Sequence, residues 1–286
     1  MDALRDQRIL IAGCGYVGGR LAELLVESGS AVFALSRRPG ARTEDVTGVR
    51  ADLANPETLE ALPAHLDAVV FAASPSSPDE AGYRAIFIDG LRNVIEALVS
   101  RERPPKRIVF TSSTAVYGQA NGEWVDETAE TDPARFNGKV LLEAESLVHE
   151  AAIPGCVLRL GGIYGPGRAR QIERVRDGLA RLDPEAPSYT NRIHREDAAR
   201  SLLHLLALPA PDPVYLGVDD EPADGDEVQR FIAAELGMPE PAVAERGAPR
   251  RAGSKRCRNR RLVESGYRFV YPTFREGFRA LIASRD

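Results

Sequence analysis

The sequence predicts an α/β fold in which a doubly wound parallel sheet is followed by a smaller lobe. Short apolar runs alternate with helix-length amphipathic segments to about residue 160, which is typical of a parallel sheet covered on both faces. A glycine-rich turn between Gly13 and Gly18 follows the first of these runs directly. Nucleotide-binding sheets open in this way, so the two observations together predict a Rossmann-type sheet.

Six apolar segments are predicted as strands, and the segments between them carry helical periodicity. Val17, Leu21, Leu24 and Leu25, for example, share one helical face because they lie three or four residues apart. This alternation indicates crossover connections between parallel strands. The predicted strands are RILIAG (8–13), AVFALS (31–36), VRAD (49–52), DAVVFAA (67–73), RIVFTS (107–112) and CVLRL (156–160).

The predicted domain organisation follows from a change in the sequence pattern after residue 160, where the regular alternation of strand-like and helix-like segments ends. We expect residues 1–160 to form the nucleotide-binding domain, with later elements, about 190–218, returning to it. The Pro-rich segment LPAPDPV (208–214) marks a connection before a seventh candidate strand, VYLGV (214–218). Residues 161–286 contain loops with single helices, and we expect a smaller, discontinuous C-terminal substrate lobe there.

Composition excludes several classes of protein. The 286 residues are 43% hydrophobic and 28% charged, which excludes global disorder, and no apolar run reaches the length of about 18 residues that a membrane span needs. Three distant cysteines (Cys14, Cys156 and Cys257) suggest neither a disulfide framework nor a zinc site, so no metal is expected. We therefore expect a soluble protein in the reducing cytoplasm.

Charge is segregated late in the chain. For the acidic run DDEPADGDE (219–227) the favoured prediction is solvated surface, whereas for the basic run RGAPRRAGSKRCRNRR (246–261) solvated surface and phosphate binding are equal alternatives. Nucleic-acid binding is not favoured, because the basic run has no interleaved aromatic residues and the net charge is −5.

The glycine turn predicts a dinucleotide site. Gly13, Gly15 and Gly18 form GxGxxG between a hydrophobic strand and an amphipathic helix, and Tyr16 and Val17 within this motif are predicted to bind the cofactor with them. The first glycine permits the tight turn, the second lets a pyrophosphate approach the backbone, and the third lets the helix pack closely. The N–H groups and the dipole of the helix N-terminus then face the phosphates.

The end of the second strand predicts which dinucleotide binds. NAD sites tend to have an acid there, but this chain has Ser36, Arg37 and Arg38. A guanidinium forms a charge-assisted pair with a 2′-phosphate, so NADP is preferred over NAD, the alternative being that the arginines only cover the surface. Asp52, after the third strand, is predicted either to meet the adenine or to cap the helix that follows Pro56.

With these residues in place, the chain resembles the extended and atypical short-chain dehydrogenase/reductases, a group that includes the NAD-dependent epimerase/dehydratases. The resemblance covers nearly the whole chain. It implies that Leu53 in ADL and Ala72 and Ala73 in FAAS line the cofactor site. Its motifs here are GCGYVGG, ADL, FAAS, TSSTAVYG, KVLLEAE, LRLGGIYGPGR and IHREDAARSLLHLL, in family order.

The resemblance implies a serine that holds the substrate oxygen, a tyrosine that moves the proton, and a lysine four residues on that binds the nicotinamide ribose. Ser113 and Lys139 occupy the serine and lysine positions, but Arg135 occupies the tyrosine position. An arginine holds its proton too tightly to be a general acid, although it could stabilise an oxyanion. The asparagine that the family has on an earlier helix is also missing. Asp89 there is predicted either to stand in for it or, as the favoured alternative, to be an ordinary helix-face acid.

A replacement proton donor is therefore needed if chemistry survives. Tyr164, in the loop after the sixth strand, is the first candidate and Tyr117 the second, the alternative for each being a packing residue with a satisfied hydroxyl. The family often lines its substrate cleft near the position of His194, for which a structural role is favoured. Arg135, Arg168 and Arg192 are candidates for contact with a diphosphate-bearing substrate.

Two functional hypotheses follow. The first is an NADP-dependent oxidoreductase or epimerase acting on a sugar-like alcohol or carbonyl, nucleotide sugars included. The second is a non-catalytic NADP-binding sensor or regulatory subunit that lost the tyrosine. The sequence leaves the oligomeric state open, with a homodimer as one alternative.

Overall fold

A computed structural model describes residues 2–38, 45–185, 188–244 and 254–284. Its strands, in chain order, are β1 (Arg8–Ala12), β2 (Ala31–Ser36), β3 (Val46–Arg50), β4 (Ala68–Phe71), β5 (Arg107–Ser113), β6 (Asn121–Val125), β7 (Gly155–Leu160), β8 (Gly162–Tyr164), β9 (Tyr189–Thr190), β10 (Arg192–His194), β11 (Val214–Gly217), β12 (Ala223–Asp224) and β13 (Ser254–Cys257).

Helices connect most of these strands. They are α1 (Tyr16–Glu27), α2 (Glu80–Arg84), α3 (Leu91–Val99), α4 (Phe136–Glu150), α5 (Arg170–Arg176), α6 (Arg195–Ala207), α7 (Gly225–Glu235), α8 (Arg260–Glu264) and α9 (Phe274–Ala283). Short 3-10 turns lie at Asp2–Leu4, Pro56–Ala61 and Thr114–Val116, and a π turn at Ala85–Gly90 joins α2 to α3. Within these described ranges, no helix is long and apolar enough to cross a membrane.

The chain divides into two compact units. The first unit comprises Met1–Val116, Pro133–Arg159 and Ala199–Tyr215, and the second comprises Tyr117–Asp132, Leu160–Ala198 and Leu216–Asp286. Each unit therefore contains separate stretches of chain.

The first unit is built on a seven-stranded sheet in the order β11-β7-β5-β4-β1-β2-β3. The pairs β3–β2, β2–β1, β1–β4 and β4–β5 are parallel, and α1 packs on β1 and β2 while α4 packs on β5. Strand order reverses next to β1, which is the point where such sheets bind ligands. The predicted fold class is confirmed, and the seventh candidate strand joins the sheet as β11.

The predicted strands agree with the structure except at their ends. β1 stops at Ala12 because Gly13 turns the chain with a φ of 97°. β3 spans Val46–Arg50, whereas VRAD (49–52) was expected, because the backbone N–H and carbonyl of Asp52 bond the Thr58 hydroxyl at 2.9 and 3.0 Å.

The second unit contains two-stranded pairs and helices around its own apolar core. The pairs are β8–β10, β9–β12 and β6–β13, and α7 packs on α5 and α9. Phe274 and Phe278 of α9 are almost fully buried in this core, together with Ile172 and Ile232. The acidic run was predicted to be solvated surface, which is wrong for two of its acids: Asp219 and Asp226 are 2% and 7% exposed.

Candidate active site

Each glycine of the first turn has a different steric environment. A Cβ on Gly13 would overlap the backbone of Ala73, and a Cβ on Gly18 would overlap the carbonyl oxygen of Gly13, so both positions exclude a side chain. A Cβ on Gly15 would meet nothing within 4 Å. Since Gly15 also precedes the first residue of α1, the turn leaves open space beside a helix N-terminus, which suits a pyrophosphate.

Neighbouring loops converge on this turn at the carboxyl edge of the sheet. The N–H of Ala72, after β4, donates to the carbonyl oxygen of Ala12 at 2.8 Å, and the N–H of Gly13 donates to the carbonyl oxygen of Leu35 at 3.4 Å. The end of β2 therefore lies beside the turn. Ser36 is half-buried there, and Arg37 and Arg38, which follow it, are exposed.

Asp52 lies at the same edge after β3, and its two predicted roles can be compared. Its Oδ1 accepts a hydrogen bond from the N–H of Ala54 at 3.1 Å, while the 3-10 turn after Pro56 is capped by Asn55, whose side chain accepts from the N–H of Glu57. The capping alternative is therefore wrong for Asp52. Leu53 is buried, and its carbonyl accepts from Asn93 of α3 at 2.8 Å.

Ser113 and Lys139 lie on elements that pack together within the first unit. Ser113 ends β5, is half-buried, and its Oγ accepts from the N–H of Ala115 at 3.2 Å. A Cβ on Gly138 would overlap the carbonyl oxygen of Ala115, so the start of α4 lies directly against the Ser113 loop. Lys139, the next residue, is exposed on the first turn of α4.

Arg135 is the N-cap residue of α4 and is exposed, with extended backbone. It makes no side-chain capping hydrogen bond, because a guanidinium has no acceptor for the N–H groups of the first turn. Asp89 is exposed and lies 3.8 Å from Arg92 in an ion pair of the i, i+3 type. That contact agrees with the predicted helix-face role of Asp89.

A buried polar network that the sequence analysis missed fixes α4 to the sheet. Glu145 accepts hydrogen bonds from the Ser112 hydroxyl of β5 at 2.6 Å and from Arg159 Nη2 of β7 at 2.6 Å. The side chains of Arg159 and Glu145 are 7% and 5% exposed. The network therefore sets the position of the helix that carries Lys139.

Tyr164 does not lie where a proton donor was expected. It is the register partner of His194 across β8 and β10, and its ring stacks on Phe278 of α9 with centroids 4.7 Å apart. A Cβ on Gly277 would overlap the Tyr164 hydroxyl, which has no hydrogen-bond partner among the described residues. Burial, followed by the charge of Asp219, raises the pKa of this hydroxyl. The ring contacts agree with the packing alternative, but among the described residues the hydroxyl is not satisfied as that alternative expected.

Tyr117 is also held by internal contacts. It is 3% exposed, and its hydroxyl donates to the carbonyl oxygen of Asp126 at 2.8 Å. This geometry favours the packing alternative over a catalytic or substrate-binding role, because the proton is already engaged by the backbone.

The predicted substrate arginines differ in exposure. Arg192 is 5% exposed, its Nη1 donates to the carbonyl oxygen of Thr190 at 3.3 Å, and its guanidinium lies over the Phe274 ring. Burial lowers its pKa, and the charge of the buried Asp219 opposes that effect. The expectation that Arg192 meets the substrate is therefore not met by the structure, whereas Arg168 is exposed in a tight turn with Gly165.

His194 has the structural role that the sequence favoured. Its Nδ1 accepts from the N–H of Glu196 at 3.2 Å, at the start of α6, and its ring lies 4.1 Å from that of Tyr271. Burial lowers the pKa of His194 from 6.5 to about 4. The imidazole is therefore neutral in the folded protein at neutral pH.

This environment predicts a loss of stability in mild acid. The unfolded chain binds a proton at His194 below about pH 6.5 but the folded chain does not until about pH 4, so stability falls between these values. His194→Asn should remove about 1 kcal/mol of the difference in unfolding free energy between about pH 7 and pH 5, after allowance for solvent screening. Asparagine does not titrate and can accept the same N–H.

The measurement is urea unfolding at the two pH values for the wild type, His194→Asn and His65→Asn. His65 is exposed and has a φ of 56°, which asparagine tolerates, so its variant is the matched control. An equal pH dependence in all three proteins would contradict the assignment. Asp197 and Asp219, whose pKa values burial raises, act in the opposite direction in all three proteins.

The chain is similar to a known protein family and to several known proteins. The model of the NAD dependent epimerase/dehydratase family matches residues 9–212. Protein YeeZ of Escherichia coli K12 is 29% identical over 222 residues, covering 73% of this chain and 76% of YeeZ. Cinnamoyl-CoA reductase 1 of Petunia hybrida is 31% identical over 302 aligned residues, covering 94% of this chain and 90% of the reductase.

A solved structure is similar to most of this chain. It is that of a Methylobacillus flagellatus protein that has been assigned to the NAD-dependent epimerases/dehydratases, with 34% identity, a TM-score of 0.81 and coverage of 98% of each chain. The part of the chain that the structure describes holds no cluster of three His, Cys, Asp or Glu side chains suited to a metal ion.

Proposed function

The chain belongs to the NAD dependent epimerase/dehydratase family, and from that membership we propose that it is an NADP-dependent oxidoreductase or epimerase. The proposed substrate is a sugar-like alcohol or carbonyl, with nucleotide-linked sugars included. The converging loops at the carboxyl edge of the first unit's sheet support this proposal, because they provide the turn, the helix N-terminus and the exposed lysine that such a cofactor needs.

The observation that carries the choice of NADP is the pair Arg37 and Arg38. Both side chains are exposed directly after β2. The end of β2 is hydrogen-bonded to the glycine turn, because the carbonyl oxygen of Leu35 accepts from the N–H of Gly13. A guanidinium pairs with a 2′-phosphate in a charge-assisted geometry, whereas the acid typical of NAD sites would repel it. No acid occupies residues 36–38 of this strand end.

The chain's own groups can be assigned within this proposal. NADPH, when bound, supplies the hydride. Lys139, exposed on the first turn of α4, would bind the nicotinamide ribose, and Ser113 would donate a hydrogen bond to the substrate oxygen. Arg135 would stabilise negative charge that develops on that oxygen but would not transfer a proton.

Removing the two arginines is expected to change coenzyme preference. For Arg37→Ala/Arg38→Ala we expect NADPH affinity to fall about 10- to 100-fold, which corresponds to the loss of one charge-assisted hydrogen bond of about 1.5–3 kcal/mol. NADH affinity should change little. Calorimetry with both coenzymes measures this, and Arg92→Ala, which removes an exposed arginine paired with Asp89, is the control. A wild-type protein that prefers NADH would overturn the NADP assignment.

The second candidate function is a non-catalytic NADP-binding sensor or regulatory subunit. It is favoured by Arg135 at the tyrosine position and by the buried hydroxyls of Tyr117 and Tyr164. The two functions separate in one assay, oxidation of NADPH with a panel of keto-sugars and their nucleotide-linked forms. If the wild type turns over and Ser113→Ala abolishes that turnover, the sensor hypothesis is rejected. If the wild type binds NADPH tightly without turnover, and Arg135→Tyr gains activity, the enzyme hypothesis is rejected.

A further inference from the structure

Lys255 is a buried lysine on β13 in the second unit. The residue is 8% exposed, and its Nζ donates a hydrogen bond to the backbone carbonyl of Tyr117 at 3.1 Å. Asn191 holds the strand on both sides of it, donating to the carbonyl of Lys255 at 3.0 Å and accepting from the N–H of Cys257 at 2.7 Å. The position of the ammonium is therefore fixed by its own strand and by the Tyr117 segment.

This ammonium has no counter-charge among the described residues. No carboxylate of the described chain lies within ion-pair distance of it, and Glu123, its register partner on β6, is exposed and accepts instead from the N–H of Asn121 at 2.7 Å. An ammonium has three N–H donors, of which one is used here. A buried cation without an anionic partner is costly, and burial lowers the pKa of Lys255 accordingly.

Two arginines add positive charge to the same ribbon of β6 and β13. The Arg256 guanidinium lies 4.8 Å from the centroid of the Trp124 ring and 4.7 Å from that of Tyr189, and the Arg258 guanidinium lies 4.7 Å from the centroid of the same Trp124 ring. Neither arginine forms an ion pair with a described carboxylate. The ribbon therefore carries three cations that its own described neighbours do not neutralise, which favours binding of an anion.

The use of lysine here is itself informative. The chain contains only three lysines among its 37 basic residues, at positions 106, 139 and 255. Lys106 is 82% exposed and lies 3.5 Å from Asp67, and Lys139 occupies the family's lysine position. Where a surface charge suffices, this chain almost always has arginine. The lysine at the buried position places a compact ammonium there, where the guanidinium that this chain otherwise prefers would be larger and planar.

We propose that Lys255 is the anchor of an oxyanion-binding site in the second unit, which takes a phosphate or carboxylate group of a small-molecule ligand. The two N–H donors not used by Tyr117 bond the oxyanion, and Arg256 and Arg258 supply the surrounding positive potential. The site stands whether or not the protein transfers hydride. A diphosphate of a nucleotide-linked sugar and the carboxylate of an acidic sugar share the chemistry that it recognises.

The small number of lysines makes a direct test practical. Full-length wild-type protein labelled with carbon-13 and nitrogen-15 in lysine should give three side-chain signals, which Lys106→Arg and Lys255→Arg variants assign. The sample is titrated separately with inorganic phosphate, pyrophosphate and acetate at constant ionic strength. We expect a saturable shift of the Lys255 signal with at least one of them. If only phosphate or pyrophosphate shifts the Lys255 signal, the site binds phosphate groups. If only acetate shifts it, the site binds carboxylate groups.

The Lys106 signal is the internal control, because that ammonium is exposed and responds only to general screening. A Lys255 signal that does not move with any probe, or that moves in step with Lys106, would overturn the proposal. Titration of NADPH into the same sample tests the proposed function separately through the Lys139 signal. Loss of that response with an intact Lys255 response counts against the proposed function and leaves the oxyanion site standing.

Variants provide a second readout. The anion that shifts the Lys255 signal should raise the melting temperature of the wild type and of Lys106→Met, and Lys255→Met should bind it at least about tenfold more weakly. Lys255→Arg should recover part of the affinity. Equal stabilisation of the wild type and a folded Lys255→Met would count against the proposal, and if Lys255→Met does not fold, the titration of the labelled wild type decides.

Discussion

Gly13→Ala is expected to abolish NADPH binding and to lower the free energy of unfolding by about 3 kcal/mol or more. Gly13 has a φ of 97°, which an L side chain rarely adopts, and its Cβ would overlap the backbone of Ala73. The Ala73 segment cannot move away easily, because the N–H of Ala72 is bonded to Ala12 at 2.8 Å. The substitution therefore distorts the junction of β1 and β4, where the strand order reverses.

Gly15→Ala is the matched control, two residues away in the same turn. The Cβ of an alanine at Gly15 would meet nothing within 4 Å and its φ of −85° is negative, so we expect a much smaller loss of stability than in Gly13→Ala. The methyl group then occupies the space that the pyrophosphate needs. We expect NADPH affinity to fall at least about tenfold while the melting temperature changes little.

Urea unfolding and calorimetry with NADPH measure the two effects for both variants. The expected pattern is loss of stability and binding in Gly13→Ala, and loss of binding alone in Gly15→Ala. Wild-type stability in Gly13→Ala would show that β1 and β4 are not packed as described. Wild-type affinity in Gly15→Ala would mean that the phosphates do not lie over this turn, and the proposed cofactor site would be wrong.

The parts of the fold that could be predicted are those with local signals. The run AVFALS coincides with β2, and the glycine spacing marks both the end of β1 and the start of α1. In a parallel sheet, the carboxyl ends of neighbouring strands share an edge, so Arg37 and Arg38 could be placed near the glycine turn without coordinates. Hydrophobic runs and glycine turns act over a few residues, which is why sequence alone reveals them.

The positions of side chains in the second unit could not be predicted in the same way, because its short strands pair with segments that are distant in the sequence. Tyr164 was expected at an open loop, but β8 pairs with β10, thirty residues later, and turns the ring toward α9. Asp226 was expected in solvent, but its carboxylate accepts from the N–H of Asp183 at 2.8 Å. Short strands of this kind have too few residues to show a periodicity of their own.

The burial of Glu145 could be predicted in part, because its position on α4 carries a local sequence signal. It shares the buried face of α4 with Leu141 and Val148, four residues before it and three after. A carboxylate on the apolar face of a helix predicts a buried partner, because an unpaired buried charge is costly. The partner itself, Arg159 on β7, is fourteen residues away and followed only from the structure.

Glu145→Met is expected to lower the free energy of unfolding by about 3–5 kcal/mol, because it removes the carboxylate that forms a buried ion pair with Arg159. The Ser112 hydroxyl loses its acceptor at the same time. Because the network fixes α4 against β5 and β7, the helix that carries Lys139 should also be displaced. We therefore expect NADPH affinity to fall together with stability in any fraction that remains folded.

Glu143→Ala is the matched control on the same helix, two residues earlier. Glu143 forms a two-pronged pair with Arg84, with both N–O distances at 2.9 Å, but both side chains are more than 40% exposed. Solvent screens an exposed pair, so this variant should unfold at nearly the wild-type urea concentration. Both variants lose a carboxylate, but only Glu145 is buried. The difference between their free energies of unfolding therefore measures the effect of burial.

The double variant Glu145→Met/Arg159→Met separates charge from packing. If the loss in Glu145→Met comes from breaking the ion pair with the buried Arg159 guanidinium, removing that guanidinium as well should recover most of the lost stability, since an apolar pair of similar volume can replace a buried ion pair. Urea unfolding of the wild type, both single variants and the double variant forms a double-mutant cycle. Losses that simply add in the double variant would mean that Glu145 and Arg159 contribute independently, and that α4 is held in place by apolar packing alone.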